Sequence, residues 1–135
     1  MDNWAWLSVA CAKRSYRQSS KRRYYGGVTT DEPDPDVVLA LRALSNPVRL
    51  QLLTWLRDPE RNFALAGAIA DPIEVGVCVT HIQAKVGLAQ STVSAYMAEL
   101  QRAGLVRATR VGKWTHYKRD EQRIARLVAV LGQTL

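Results

Sequence analysis

Apolar residues recur at helical spacing in four stretches of this chain. Val37, Val38, Leu41 and Leu44 follow Asp34-Pro35, which offers an N-cap and a first-turn proline. Ser45-Asn46-Pro47 repeats that start signal before Val48, Leu50, Leu52, Leu53 and Leu56, with Trp55 beside them. Pro59 is expected to stop this second helix, because the residue before a proline is pushed out of the helical region. Val93, Met97 and Leu100 mark the inner face of a helix from about Gln90 to Arg102. Asp120 caps a last helix whose stripe is Ile124, Leu127, Val128 and Leu131. Leu105 to Arg110 and Trp114 to Lys118 read as strands around Val111-Gly112-Lys113. Val75, Val77 and Val79 alternate, which predicts a further short strand with Cys78 on its other side. Residues 64 to 70 fit either a short helix or a packed loop. The apolar positions of the first two helices are read as core.

The stretch from Thr80 to Lys118 carries the functional signal. Thr80-His81-Ile82-Gln83 has capping-box spacing, and Gly87 can take the backbone angles that turn the chain out of the helix this box opens. The next helix begins with small polar residues and is closed by Gly104. The predicted fold is therefore mainly α with a small β-hairpin, a winged helix-turn-helix over residues 34–135. Such a device reads duplex DNA. Gln90, Ser91, Thr92, Ser94 and Tyr96, with Ala95, form the surface opposite the apolar stripe. Gln and small hydroxyls reach base edges and phosphates without steric cost, and a helix N-terminus offers free N–H groups. The bland alternative is an ordinary polar helix start, where Ser and Thr serve for capping alone. Arg110 and Lys113 flank the hairpin turn and can lie on phosphates or enter the minor groove; the bland alternative there is a charged, soluble edge.

Charge supports the nucleic-acid reading. The 135 residues carry a formal net charge of +7, a balance suited to a polyanionic partner. Positions 80 to 118 hold Lys85, Arg102, Arg107, Arg110, Lys113 and Lys118 against Glu99 alone. Residues 1–33 are basic and without periodicity, and are read as a flexible N-terminal tail. A basic arm on phosphates, or a natural start downstream at Val28, are the other readings of that stretch. The length suits one domain with a real core. Two cysteines, Cys11 and Cys78, build no disulfide framework. The apolar start from Trp4 to Ala12 lacks a positive flank for a signal peptide, and no apolar run reaches the roughly 20 residues that span a bilayer. A cytoplasmic protein with no membrane partner is expected.

Leu41-Arg42-Ala43-Leu44-Ser45-Asn46-Pro47-Val48-Arg49-Leu50, then Gly87 through Ser94, Leu100 through Val106 and Arg110-Val111-Gly112-Lys113, resemble the ArsR/SmtB family of bacterial winged-helix repressors over about residues 36 to 131. The resemblance implies a homodimer joined through the first and last helices, which would place Val38, Leu41, Ile124, Leu127, Val128 and Leu131 at its interface. It also implies paired recognition helices on an inverted repeat, and repression relieved by an inducer. Departures are visible. Ala89 stands where the family often has Ser before the recognition helix, and Ala95-Tyr96 where many members have paired histidines. Of the Cys-Val-Cys pair of arsenic- and cadmium-type members only Cys78 remains, and the last helix has no histidine.

Neither metal set is thus complete, and no resident metal or cofactor is expected. Cys78 is the candidate thiol sensor; it lies just before a helix N-terminus, where a thiolate is stabilised. Cys78 and His81 are weak metal ligands on their own, and Cys11 or His116 would have to complete a soft-metal site. The inducer stays open between metal, oxidant, organic molecule and none. No nucleophile arrangement or phosphate-cradling glycine loop is present, so no catalysis is expected. The competing function is a winged-helix protein-interaction module.

Overall fold

The computed structural model describes residues 23–25, 28–30 and 34–135. The expected tail over residues 1–33 falls largely outside them, as does Cys11. Within that stretch β1 (Arg23–Tyr25) and β2 (Val28–Thr30) pair antiparallel, Arg23 opposite Thr30.

Three helices then begin with one device, an Asp or Asn cap followed by proline. α1 (Pro35–Leu44) is capped by Asp34, whose carboxylate accepts the Asp36 N–H at 2.9 Å. α2 (Pro47–Trp55) is capped by Asn46, whose side-chain oxygen accepts from the N–H groups of Val48 and Arg49. Proline is tolerated in a first turn because its missing N–H had no helical partner there. Asp58-Pro59 repeats the device, so Pro59 does more than end α2: it opens the one-turn helix α3 (Pro59–Asn62). Residues 64 to 70 form turns and bends, the packed loop rather than the short helix.

The expected strand through Val75, Val77 and Val79 is shorter than alternation suggested. β3 is Val77–Cys78 alone, and Val79 already opens α4 (Val79–Val86). Both residues of β3 are buried. The Thr80 capping box does not form. Cys78 holds the N-cap position without a side-chain cap bond, and the Thr80 hydroxyl donates to the Cys78 sulfur at 3.2 Å. The helix starts two residues early, at Val79 rather than His81, because Val77 and Val79 are both drawn into the core.

Gly87, at φ +72°, turns the chain toward α5 (Gln90–Arg102). β4 (Val106–Val111) and β5 (Trp114–Arg119) form the hairpin, and β3 pairs with the other edge of β5 to give an antiparallel sheet of order β3-β5-β4. Asp120 caps α6 (Glu121–Thr134), as expected. Leu52, Ile82, Val93, Met97, Leu100 and Leu105 form the best-sealed part of the core, gathered from α2, α4, α5 and the start of the hairpin.

Two arginine clamps fix the hairpin and last helix to this core. The Arg119 guanidinium donates to Leu53 O at the end of α2 and to both carboxylate oxygens of Glu121. Arg107 Nε donates to Asp120 Oδ2 at 2.7 Å, while Asp120 Oδ1 accepts the Arg123 N–H. The hydrogen bond from Arg107, helped by the Arg123 N–H, outweighs burial and holds the Asp120 carboxyl below its ordinary range. A carboxylate favoured in the folded state adds stability that is complete above its unfolded pKa and is lost as pH falls through the lower folded one. The melting temperature should therefore fall on acidification below about pH 4, and fall less steeply in Asp120→Asn, which keeps the cap and loses the charge. Equal acid slopes in the two proteins would rule this pair out as a contributor.

Candidate nucleic-acid interface

α4, the Gly87 turn and α5 form a helix-turn-helix, with the β4–β5 hairpin as its wing. The N-cap of α5 is Ala89, which has extended backbone angles and makes no side-chain cap bond. Its first N–H groups are therefore not taken up by an N-cap side chain, as a phosphate-binding helix end requires. Gln90 and Ser91 are exposed there, and Thr92 and Ser94 are half-buried. Ala95 is exposed one turn after Ser91, so the outer face of this helix is low and smooth at its first two turns. Val93, Met97 and Leu100 point into the core, as their spacing predicts.

Tyr96 is placed differently from the other expected contact residues. It is half-buried and packed against the core, and the guanidinium of Arg49 lies over its ring, 5.8 Å from the centroid. Nothing in the sequence marks Arg49 for this contact beyond a basic residue in the first turn of a largely apolar helix. Lys85, over the ring of Trp55 at 5.1 Å, is a second cation–aromatic contact that spacing alone did not reveal.

On the wing, Arg110 and Lys113 are both exposed at the tip, where Val111 pairs with Trp114 and Arg110 with Thr115. Lys113 Nζ lies 5.1 Å from the Trp114 ring centroid, so the stem of this lysine is partly supported. Arg107 and Lys118 are exposed and opposite one another on the two strands. Asp120 occupies the first, and Glu74 O accepts from Lys118 Nζ at 3.3 Å.

Cys78 and His116 face each other across β3 and β5, both buried. The Nδ1 atoms of His116 and of His81 are buried without a hydrogen-bond partner among the described residues. No group of three or more His, Cys, Asp or Glu side chains there is disposed to hold a metal ion. The thiol is enclosed and receives the Thr80 hydroxyl, an environment of low access for an oxidant or a metalloid.

α1 and α6 pack together, joined by ion pairs from Arg123 to Asp36 at 3.2 Å and from Arg126 to Asp34 at 3.7 Å. Leu41 and Val128 are exposed at 46% and 63%, and Val38, Ile124 and Leu131 are half-buried. Leu127 is not on that outer surface; it is 8% exposed and belongs to the core of its own chain. The space between α1 and α6, lined by Val37, Ala40, Leu105, Leu127 and Arg123 among others, is about 20 Å³, room for a single water. Among the described residues no helix is long and apolar enough to cross a membrane.

Known proteins share this arrangement. The chain is 50% identical over 90 residues to the HTH-type transcriptional regulator YbzH of Bacillus subtilis (strain 168), a match spanning 67% of this chain and 89% of that protein. It is 34% identical over 96 residues to a Halobacterium salinarum protein that carries the name arsenical resistance operon repressor ArsR2, spanning 71% and 68% of the two chains. No family model matches. In fold, the ArsR-like transcriptional regulator from Rhodococcus sp. RHA1 superposes with a TM-score of 0.54 at 18% identity, covering 73% of this chain and 78% of that one. With relatives of these names and a winged helix-turn-helix of this form, the chain belongs to the ArsR family of transcriptional regulators.

Proposed function

We propose that the protein is a homodimeric, sequence-specific repressor that binds an inverted-repeat operator in duplex DNA and is released by an inducer. One observation supports this reading above the others: the exposed first turn of α5, free of any side-chain cap and bearing Gln90 and Ser91, stands in a fold whose wing ends in the exposed cations Arg110 and Lys113. That combination suits base edges in a major groove flanked by phosphates. The outward Leu41 and Val128 favour a second copy packed on α1 and α6, since exposed large apolar side chains seek cover. Two copies related by a two-fold axis would match a palindromic site. The relative named as an arsenical resistance repressor makes a metalloid one inducer to test, with oxidants and zinc beside it. The reading includes action in the cytoplasm and no catalytic activity.

The test is a gel-shift titration on the DNA upstream of the protein's own gene, with competitor duplex, in the presence and absence of arsenite, zinc and a thiol oxidant. Specific binding released by one of them supports the whole reading. Failure to bind specifically at low salt would transfer the weight to a protein-interaction module. Two sets of variants separate the parts of the interface. Arg110→Ala and Lys113→Ala should each lower the salt dependence of binding by about one phosphate, near 0.9 in the logarithmic slope, and leave the sequence preference intact. Unchanged slopes would remove the wing from the interface. Gln90→Ala and Ser91→Ala should instead relax base preference, by about 1–3 kcal/mol of discrimination where a good contact is lost. A selection from random duplexes that returns the wild-type site would remove that role.

A further inference from the structure

We propose that Arg49 is a positioning residue that ties the recognition helix α5 to the C-terminal end of α1; its consequence for DNA binding rests on the function proposed above. Arg49 lies half-buried in the first turn of α2, where its own N–H is held by the Asn46 cap at 3.1 Å. Its guanidinium reaches back across the α1–α2 turn. Nε donates to Ala43 O at 2.5 Å and Nη2 to Arg42 O at 3.1 Å. The last carbonyls of a helix have no partners within it and carry the negative end of its dipole, so a cation placed on them is favoured. The same guanidinium lies over the ring of Tyr96 of α5, its Cζ 5.8 Å from the centroid. Among the described residues no carboxylate pairs with Arg49, so this charge is met by helix-end carbonyls and an aromatic face.

Only arginine can do both jobs at once. Its planar fork supplies two parallel N–H groups while its flat face remains free to stack; a lysine ammonium is a single point without a face. Tyr96 stands one helical turn beyond Thr92 and shares the inner flank of α5 with the core. α1 packs directly on α5 and carries the exposed Leu41, the side chain proposed to meet a second copy. Packed helices do not slide freely, so the seating of α1 is passed to α5 where a rigid group spans the two. Arg49 is that group: its side chain grips α1 through the backbone carbonyls of Arg42 and Ala43, and grips α5 through the Tyr96 ring.

The experiment compares wild type, Arg49→Lys, Tyr96→Leu and the double variant, each full-length and well below its melting temperature. On an operator duplex each single variant is expected to bind about tenfold more weakly, and the double variant about as weakly as the weaker single, because both break one contact. The salt slope should not change, and discrimination between native and altered half-site spacing should fall. Tyr96→Phe keeps the ring and should restore wild-type binding. Additive losses would overturn the proposal, and so would a salt slope lowered by about one phosphate in Arg49→Lys, which would make Arg49 a DNA contact. Amide hydrogen exchange without DNA tests the coupling independently. Exchange across residues 93–96, the first α5 amides held by helical bonds, should be about tenfold faster in Arg49→Lys, with β4 and β5 unchanged; unaltered exchange overturns the coupling whatever the DNA result. A wild type that finds no specific duplex, yet shows the exchange effect in its variant, would sink the DNA-reading function and leave the coupling standing.

Discussion

Replacing Met97 by alanine should destabilise the protein by about 2–5 kcal/mol, read from the midpoint of a urea titration. Met97 is fully buried at the middle of α5, among Val93, Leu100 and Ile82. Its loss removes transfer energy and leaves a cavity that helices anchored at Arg119 and Asp120 cannot collapse to fill. A protein of this size holds about 5–15 kcal/mol in all, so the change consumes a large part of the margin. The functional consequence is distinctive. DNA affinity should fall with the folded fraction, while the salt slope and the preferred sequence stay as in the wild type, because no contacting group has been removed. A loss below about 1 kcal/mol would mean that α5 repacks, and that its register on the core is softer than its burial implies.

Gly76→Ala is expected to have a comparable effect by a different route, about 2–4 kcal/mol. Gly76 adopts φ +117°, and a Cβ built there would meet the backbone of Tyr117, with the carbonyl oxygen at 2.5 Å. Backbone cannot swing aside as a long side chain can. The added methyl must push β3 off β5, where Val77 pairs with Tyr117 and Cys78 with His116. The loss should appear in urea unfolding, together with faster amide exchange at residues 116–118 and easier alkylation of Cys78. A variant within about 0.5 kcal/mol of wild type, with the thiol still protected, would show that β3 is not held by this close approach.

Both effects concern positions whose importance the linear chain shows unequally. Met97 is legible as core because Val93, Met97 and Leu100 repeat at helical spacing, and a period of 3.6 leaves one face to bury. Gly76 is not: a glycine between Val75 and Val77 reads as a gap in a strand, and its need for a positive φ comes from a strand forty residues away. The Asp58-Pro59 start of α3 was readable by the same rule as Asp34-Pro35 and Asn46-Pro47, but a proline after a helix also fits a stop signal. Thr80 misled for the converse reason. Its capping box is a local pattern, and the burial of Val77 and Val79 on either side of Cys78 overrides it by starting the helix earlier.

The candidate interface divides in the same way. Gln90, Ser91, Arg110 and Lys113 are exposed where spacing places them, since turns and helix starts are local in origin. Tyr96 follows the same helical rule, yet the structure turns it to Arg49 and the core. The sequence by itself determined the helix-turn-helix, the hairpin, the core stripes and the basic surface, because capping, periodicity, turn chemistry and charge act between neighbours along the chain. Only the tertiary structure decided that Leu127 belongs to the core of its own chain, that Cys78 is enclosed opposite His116, and that Arg49 joins α1 to α5. Those facts depend on which surfaces meet across long loops, and no local pattern encodes the meeting of two surfaces.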